Sequence, residues 1–360
     1  MLAKIKSDLQ KYPRLFSITR KIYRRFKIVN YLYLKRDINY FKCYSSATSR
    51  LDKSLGKPIL LTLEPTNTCN LRCPVCETGS GRLNREPKMM KIEEFKYILD
   101  KFDENLKILY LYYMGEPFLN KDIYKMIRYA ADRGIYVSIC TDGEFVDSEE
   151  LVRSGLAEIQ FQIGGVTQEV HGIYRKGGNL DRTLERLKSV IDIKRRSANI
   201  LKNEKYITKV ALGLILMKHN EHQVNNFVKL AKEIGVDEFQ IIDPCVRNVE
   251  QGRFFLPSDT KRWFYDPVAF ERGELRVRTP PNNYCEWIYS TVTVQVNGDV
   301  VPCCRDAQGD YVIGNIFNES LDNIWNNEKY RLFRKKILRS QKEVSLCRLC
   351  SGYSIPNLRY

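Results

Sequence analysis

The sequence has little histidine, no long apolar run and, over its first 57 residues, almost no acidic charge. His171, His219 and His222 are the only histidines in 360 residues. His219-x2-His222 has the spacing of a metal pair, but no cysteine or carboxylate pattern completes it, and solvated histidines at a helix start are expected. No stretch of about 18 apolar residues occurs, which excludes a candidate transmembrane helix. No apolar segment followed by a small-residue cleavage site opens the chain, so no signal peptide is read. Internal repeats and low-complexity tracts are also missing. What remains is a globular composition, 43% apolar and 11% aromatic, long enough for one large domain plus one or two small ones.

The net charge of +16 is unevenly spread. Residues 1–57 hold fifteen Lys/Arg against Asp8, Asp37 and Asp52, so they carry +12 of it and the rest of the chain is nearly balanced. Within this leader, Leu15, Phe16, Ile18, Ile22, Phe26 and Val29 recur mostly at three- or four-residue steps, as on an amphipathic helix. Such a segment suits an anionic membrane surface or an anionic lipid-linked substrate. It equally suits a helical extension packed on the core with a solvated basic face. A core without net basic charge argues against nucleic acid.

Eleven cysteines in a chain without secretion signals point to metal–thiolate chemistry in a reducing cytoplasm. Three of them, Cys69-x3-Cys73-x2-Cys76, follow the apolar run 59–63 on one short loop. Three thiolates suit a [4Fe–4S] cluster with one iron left open. Structural zinc closes its shell with four ligands and fits poorly. An open iron binds a small molecule, which makes the site catalytic.

From about 58 to 265, short β-rich runs (59–63, 108–112, 136–140, 159–163, 210–216 and 238–242) alternate with helical stretches (91–102, 121–133, 180–196 and 221–234). This pattern predicts parallel βαβ units. Six of them make an α/β fold, a partial (β/α)6 TIM-like barrel, with chemistry at the C-terminal ends of its strands. The alternation breaks near 257–281. Beyond it, 291–296 and 300–301 flank Asn297-Gly298-Asp299, a hairpin signal, and a helix follows from about 319 to 339. The expected division is a basic extension at 1–57, the barrel at 58–265 and a small Fe–S domain, a β-hairpin plus a helix, at 282–352.

The cysteine loop resembles that of the radical S-adenosylmethionine (SAM) superfamily, whose open iron chelates the methionyl amine and carboxylate of SAM. Tyr113-Met-Gly-Glu-Pro117 resembles the family's Gly-Gly-Glu-Pro motif for the SAM amino group, with Met114 at the first glycine. Thr141-Asp142-Gly143 resembles its Thr-Asn-Gly, with Asp for Asn. In Phe161-Gln-Ile-Gly-Gly165, Gln162 stands at the family's serine and Gly164 at its acidic residue. Tyr174-Arg175-x-Gly177 resembles a Tyr-Arg-x-Gly whose arginine lies near SAM. The resemblance implies SAM contacts from Val75, Gly115, Glu116, Pro117, Thr141, Gln162 and Arg175, and a catalytic cluster on Cys69, Cys73 and Cys76. It also implies an electron donor of the flavodoxin or ferredoxin kind.

Cys285, Cys303, Cys304, Cys347 and Cys350 form a second group. Thiolates drawn from distant points into one small domain demand a metal. The arrangement resembles the SPASM or shorter twitch extension of radical SAM enzymes with one auxiliary [4Fe–4S] cluster. It implies Cys285, Cys303, Cys347 and Cys350 as ligands, Cys304 being the alternative to Cys303; a zinc ribbon is the runner-up for this region.

The expected activity is reductive cleavage of SAM and abstraction of a substrate hydrogen, by an oxidoreductase or epimerase in the cytoplasm or at the inner membrane face. The leader lacks the alternating strands of a peptide-recognising module. This favours a carbohydrate or related small or lipid-linked metabolite over the alternative, a peptide-modifying maturase. RNA modification and a non-catalytic Fe–S or zinc protein are weaker readings. Cys245, just past the sixth strand, is expected to face the barrel mouth, where a thiol would donate hydrogen in an epimerisation; a buried cysteine acting as a small hydrophobe is the plainer expectation.

Overall fold

A computed structural model describes residues 37–197, 208–350 and 352–356. The amphipathic stretch at 15–29 lies outside them. Nine strands form one sheet: β1 (Leu60–Leu63), β2 (Ile108–Tyr110), β3 (Tyr136–Thr141), β4 (Glu158–Ile163), β5 (Lys209–Ile215), β6 (Glu238–Ile242), β7 (Thr291–Val294), β8 (Asp299–Val301) and β9 (Gly314–Asn315). The helices are α1 (Ile38–Thr48), α2 (Ile92–Leu99), α3 (Ile123–Asp132), α4 (Ser148–Arg153), α5 (Gln168–Tyr174), α6 (Leu180–Ser197), α7 (Val224–Ile234), α8 (Val249–Phe255), α9 (Pro267–Glu271), α10 (Leu321–Trp325) and α11 (Glu328–Ser340).

Alternation along the strands decides how the sheet is used. Leu61, Leu109, Val137, Ile139, Ile159, Phe161, Leu212 and Leu214 point outward and are fully buried against Phe95, Ile127, Leu187 and Phe227 of the helices. Their neighbours Thr62, Ser138, Cys140, Gln160, Gln162 and Gln240 fall on the other face. Parallel strands covered on both sides by helices read as continuous apolar runs. Here one face is polar, because it encloses a site rather than a second helical layer.

The strand order is β6-β5-β4-β3-β2-β1-β7-β8-β9, and β1 to β6 are parallel neighbours, as a partial barrel requires. The hairpin does not stand apart. β7 pairs in parallel with β1, from Leu60↔Thr291 to Leu63↔Val294, and β8 and β9 continue antiparallel. The C-terminal region therefore extends the barrel sheet past its first strand.

The helix expected over 319–339 is two helices. Asn327 accepts a hydrogen bond from Tyr330 N at 2.9 Å and restarts the chain as α11, after α10 ends at Trp325. The segment from α1 to residue 57 is stitched to this region. Trp325 Nε1 donates to Gly56 O at 2.7 Å, Asn326 exchanges hydrogen bonds with the Ser54 backbone, and Arg331 pairs with Asp52. Behind these contacts Arg334 is fully buried, 4.0 Å above the Tyr330 ring and 4.9 Å from Trp325, with its N–H groups donating to Ile288 O, Trp325 O and Asn326 Oδ1. No described helix is long and apolar enough to cross a membrane.

Candidate functional site

The ends of β1 to β5 converge on one cavity. After β1 the chain turns through Thr66 and Thr68, whose hydroxyls meet at 2.9 Å, into the cysteine loop. Cys69, Cys73 and Cys76 all line the cavity. Leu71 N donates to Cys69 Sγ at 3.4 Å, and Arg72 N donates to Lys176 O, anchoring the loop to the turn after α5. Leu71, Val75, Tyr174 and Met217 form an apolar bed around the thiols. Burial pushes the Cys69 thiol up to about 12 and raises Cys73, whose rise the Arg175 charge opposes. A thiolate is costly here unless a metal centre compensates it.

Gly115 packs directly on this loop. Its φ is +88°, and a Cβ would come within 2.6 Å of Thr68 O, so only glycine fits. The next residue, Glu116, donates its N–H to Thr68 O at 2.8 Å and is buried. Its carboxylate accepts from Phe118 N, Thr141 Oγ1 and Asp142 N at 3.1, 2.6 and 2.9 Å. Burial first, and then the Asp142 charge, push Glu116 up to about 8.

From β4, Gln162 reaches the cavity because β5 carries Gly213 opposite it, where a side chain would overlap the Gln162 amide. Gly164, at the family's acidic position, has no room for one either: a Cβ would lie 2.9 Å from His171 O and 3.0 Å from Arg175 Cγ. His171 is buried, and its Nδ1 accepts from Gly164 N at 3.3 Å; burial lowers it to about 4, with Arg175 adding to the effect. Arg175 itself enters the cavity.

Four buried polar atoms on residues lining this cavity have no hydrogen-bond partner: Tyr113 Oη, Asp142 Oδ2, Gln162 Oε1 and Arg175 Nε. Buried polar groups are normally paired. Their convergence beside three thiols fits a ligand with donors, acceptors and both charges.

Of the residues expected to contact SAM, Gly115, Glu116, Thr141, Gln162 and Arg175 line the cavity. Val75 and Pro117 do not. The Val75 side chain is buried in the bed under the loop, its carbonyl accepts from Arg82, and Pro117 opens a 3-10 turn behind Glu116. Cys245 does not reach the cavity either. It is exposed, and the Tyr265 hydroxyl bonds both N and O of Val246 at 2.8 Å, holding this stretch toward Arg305 and Cys350. His219 is not solvated as expected; both its ring nitrogens are buried without hydrogen bonds, near Phe255. Tyr112, Cys140 and Ile215 line the cavity and were not anticipated. Strand alternation carries the signal for Cys140, which shares a face with Ser138.

Of the other eight cysteines, Cys285, Cys303, Cys304, Cys347 and Cys350 belong to the C-terminal region, between the segment before β7 and the turn after α11. Cys285, Cys347 and Cys350 each feel the charge of Cys303, and Cys304 feels that of Cys350. Cys304 is hydrogen-bonded to Cys303, and its charge is felt by Tyr112, Tyr113 and Tyr353. Burial pushes the Cys285 thiol up to about 12. Gly352 N donates to Cys350 Sγ at 3.3 Å, a contact of the kind that tunes cluster sulfur. Among the described residues no cysteine is in a disulfide, and no three His, Cys, Asp or Glu side chains sit closely enough to hold a single ion.

Known proteins share this architecture. The sequence model of the radical SAM superfamily matches residues 63–231, and that of the SPASM iron–sulfur cluster-binding domain matches 285–351. The mycofactocin maturase MftC of Mycolicibacterium smegmatis is 24% identical over 327 residues, covering 84% of this chain and 78% of that protein. A PqqA peptide cyclase of Bradyrhizobium diazoefficiens is 22% identical over 315 residues, covering 78% and 77%. The structure of Streptococcus suis SuiB bound to S-adenosylmethionine superposes with a TM-score of 0.56 at 16% identity, over 82% of this chain and 72% of that one. With its barrel, its three-cysteine loop and its second cysteine group matched in order, this chain belongs to the radical SAM superfamily, as an enzyme with a C-terminal SPASM domain that uses two [4Fe–4S] clusters and SAM.

Proposed function

We propose that this radical SAM enzyme is a maturase that modifies a peptide. The observation that carries the reading is the likeness to a peptide cyclase and to a maturase over more than three quarters of their lengths. A carbohydrate or lipid-linked substrate, the first expectation from sequence, has no comparable support. The sheet adds a physical reason. Among the described residues no strand pairs with the outer edge of β6, and β6 is only partly buried. An open edge beside the cavity leaves room for an extended chain and offers it backbone hydrogen bonds.

In this reading Cys69, Cys73 and Cys76 hold the catalytic cluster. Bound and reduced, that cluster supplies one-electron cleavage of SAM to a hydrogen-abstracting 5′-deoxyadenosyl radical. The chain's own work is placement and exclusion of water. Gly115 lets the backbone close on the loop, Glu116 receives the amino group, and Arg175 suits a carboxylate. Gln162 supplies an amide acceptor, while Tyr174 and Ile215 wall the cavity. Cys285, Cys303, Cys347 and Cys350 hold the auxiliary cluster, with Cys304 as the alternative to Cys303.

The test is anaerobic reconstitution followed by reaction with SAM, a reductant and the short peptides encoded beside the gene. The expected outcome is peptide-dependent 5′-deoxyadenosine formation with a mass change in the peptide. Stimulation by sugars and by no peptide would return the substrate to the carbohydrate class.

A further inference from the structure

Glu116 is largely committed before any ligand arrives. Its Oε1 accepts from Phe118 N and the Thr141 hydroxyl, and its Oε2 from Asp142 N. In its ionised form a carboxylate offers about four acceptor sites, so about one remains. Asp142, the next acidic residue in the cavity, is arranged differently. Its Oδ1 accepts from Glu144 N at 2.9 Å, but Oδ2 has no hydrogen-bond partner although the residue is only 5% exposed. The Asn70 amide of the cysteine loop stands beside this carboxyl without bonding Oδ2. A buried carboxylate oxygen left in this state costs stability until a donor reaches it.

The same cavity holds the complementary orphan. Arg175 Nε is buried and unpaired, near enough to act on Asp142 by charge but not hydrogen-bonded to it. An unpaired carboxyl oxygen and an unpaired guanidinium N–H in one cavity match a zwitterion, here the amino and carboxylate groups of an amino-acid moiety. Asn, which resembling proteins carry at the place of Asp142, would bring one neutral acceptor oxygen, two N–H donors and no charge to face an amino group. Aspartate brings acceptors only. We propose that Asp142 Oδ2 is a second carboxylate acceptor for the amino group of SAM, beside Glu116. The proposal rests on SAM occupying this cavity.

Iron-replete wild-type and Asp142→Asn proteins, reconstituted anaerobically, are titrated with SAM and with 5′-methylthioadenosine, which keeps the nucleoside and the sulfur but lacks the amino acid. SAM should bind the variant about tenfold more weakly or worse, as expected for losing a hydrogen bond to a charged group, while 5′-methylthioadenosine stays within about twofold. Unchanged SAM affinity, or a parallel loss for both ligands, overturns the proposal. Should Asp142→Asn fail to take up iron, Glu116→Gln decides: it must still prefer SAM over the analogue without the α-amino group. Disappearance of that preference means Asp142 contributes nothing. Wild-type protein that binds no SAM would overturn the cavity's assignment together with the proposal, a result distinct from the others.

Discussion

At the scale of single residues, the site combines conformations that only certain side chains permit with charges that burial makes expensive. His171 illustrates the second. Its ring is buried among Gly164, Gly178 and Arg175, so the folded protein keeps it neutral down to about 4, whereas an unfolded chain protonates it near 6.5. For a base with a lowered pKa the contribution is fully present above pH 6.5 and is lost as pH falls from there toward 4. The loss should approach about 3 kcal/mol. His171→Asn, which can keep an acceptor for Gly164 N, should lack this component; urea titrations of both proteins at pH 7 and pH 4.5 measure it, and equal losses would show that His171 does not titrate as placed. The motif residues Gly115, Glu116, Thr141 and Arg175 were legible in the chain because they sit at fixed offsets from strand ends. Cys140 was not singled out and Asp142 stood only as a replacement for asparagine, because their significance lies in what faces them across the cavity. Cys245 is exposed and is not among the residues lining the cavity, because a strand-end rule sets the height of a residue in a barrel but not the direction of a loop clasped by a distant tyrosine.

At the scale of elements, the joint between barrel and C-terminal hairpin depends on one buried ion pair. Arg85, on the loop beyond the cysteines, meets both oxygens of Glu64 at the end of β1 at 2.6 Å and donates Nε to Ala307 O. Val296 N, just past β7, donates to Glu64 Oε2 at 2.9 Å. Glu64 is fully buried; burial raises its pKa, and Arg85 is the main influence pulling the other way. Removing one member of such a pair strands the other charge. Arg85→Ala should therefore cost about 3–5 kcal/mol of unfolding free energy. The double variant Glu64→Gln/Arg85→Met should recover much of it, and chemical denaturation of the three proteins separates a buried pair from an exposed one, for which the single change would matter little. The strands themselves were readable to within one or two residues from their β-branched, alternating character. The break in the last helix was not, since two asparagines mid-run carry no strong stop signal until Asn327 is seen capping α11.

At the scale of the whole molecule, the first described residues act as part of the fold. Gly56, Ser54 and Asp52 supply partners to Trp325, Asn326 and Arg331, and the α1 residues Tyr40 and Cys43 are buried with Ile59 and Leu60. Deleting residues 1–57 removes these partners and uncovers the bed behind β1, whereas deleting 1–36 leaves them in place. Protein beginning at residue 37 should keep its melting temperature to within a few degrees, and protein beginning at 58 should lose about 10 °C or more, or fail to fold. Equal melting temperatures would show that α1 is an appendage. The comparison also frees any test of the basic leader on anionic vesicles from the confounding effect of unfolding, provided the cut is made before residue 37.

The sequence by itself determined the class of chemistry and the fold. Three cysteines at close spacing, a glycine–glutamate pair after the second strand and alternating βα segments are local features, set by covalent spacing and by the period of side chains along a strand. The tertiary structure alone decided that the C-terminal hairpin continues the barrel sheet beside β1, and that Asp142 has an unpaired oxygen in the cavity while Cys245 is not among the residues lining it. These depend on which groups meet across long sequence separations. Such meetings are governed by packing, burial and the need to pair buried polar atoms, none of which a linear order of residues displays.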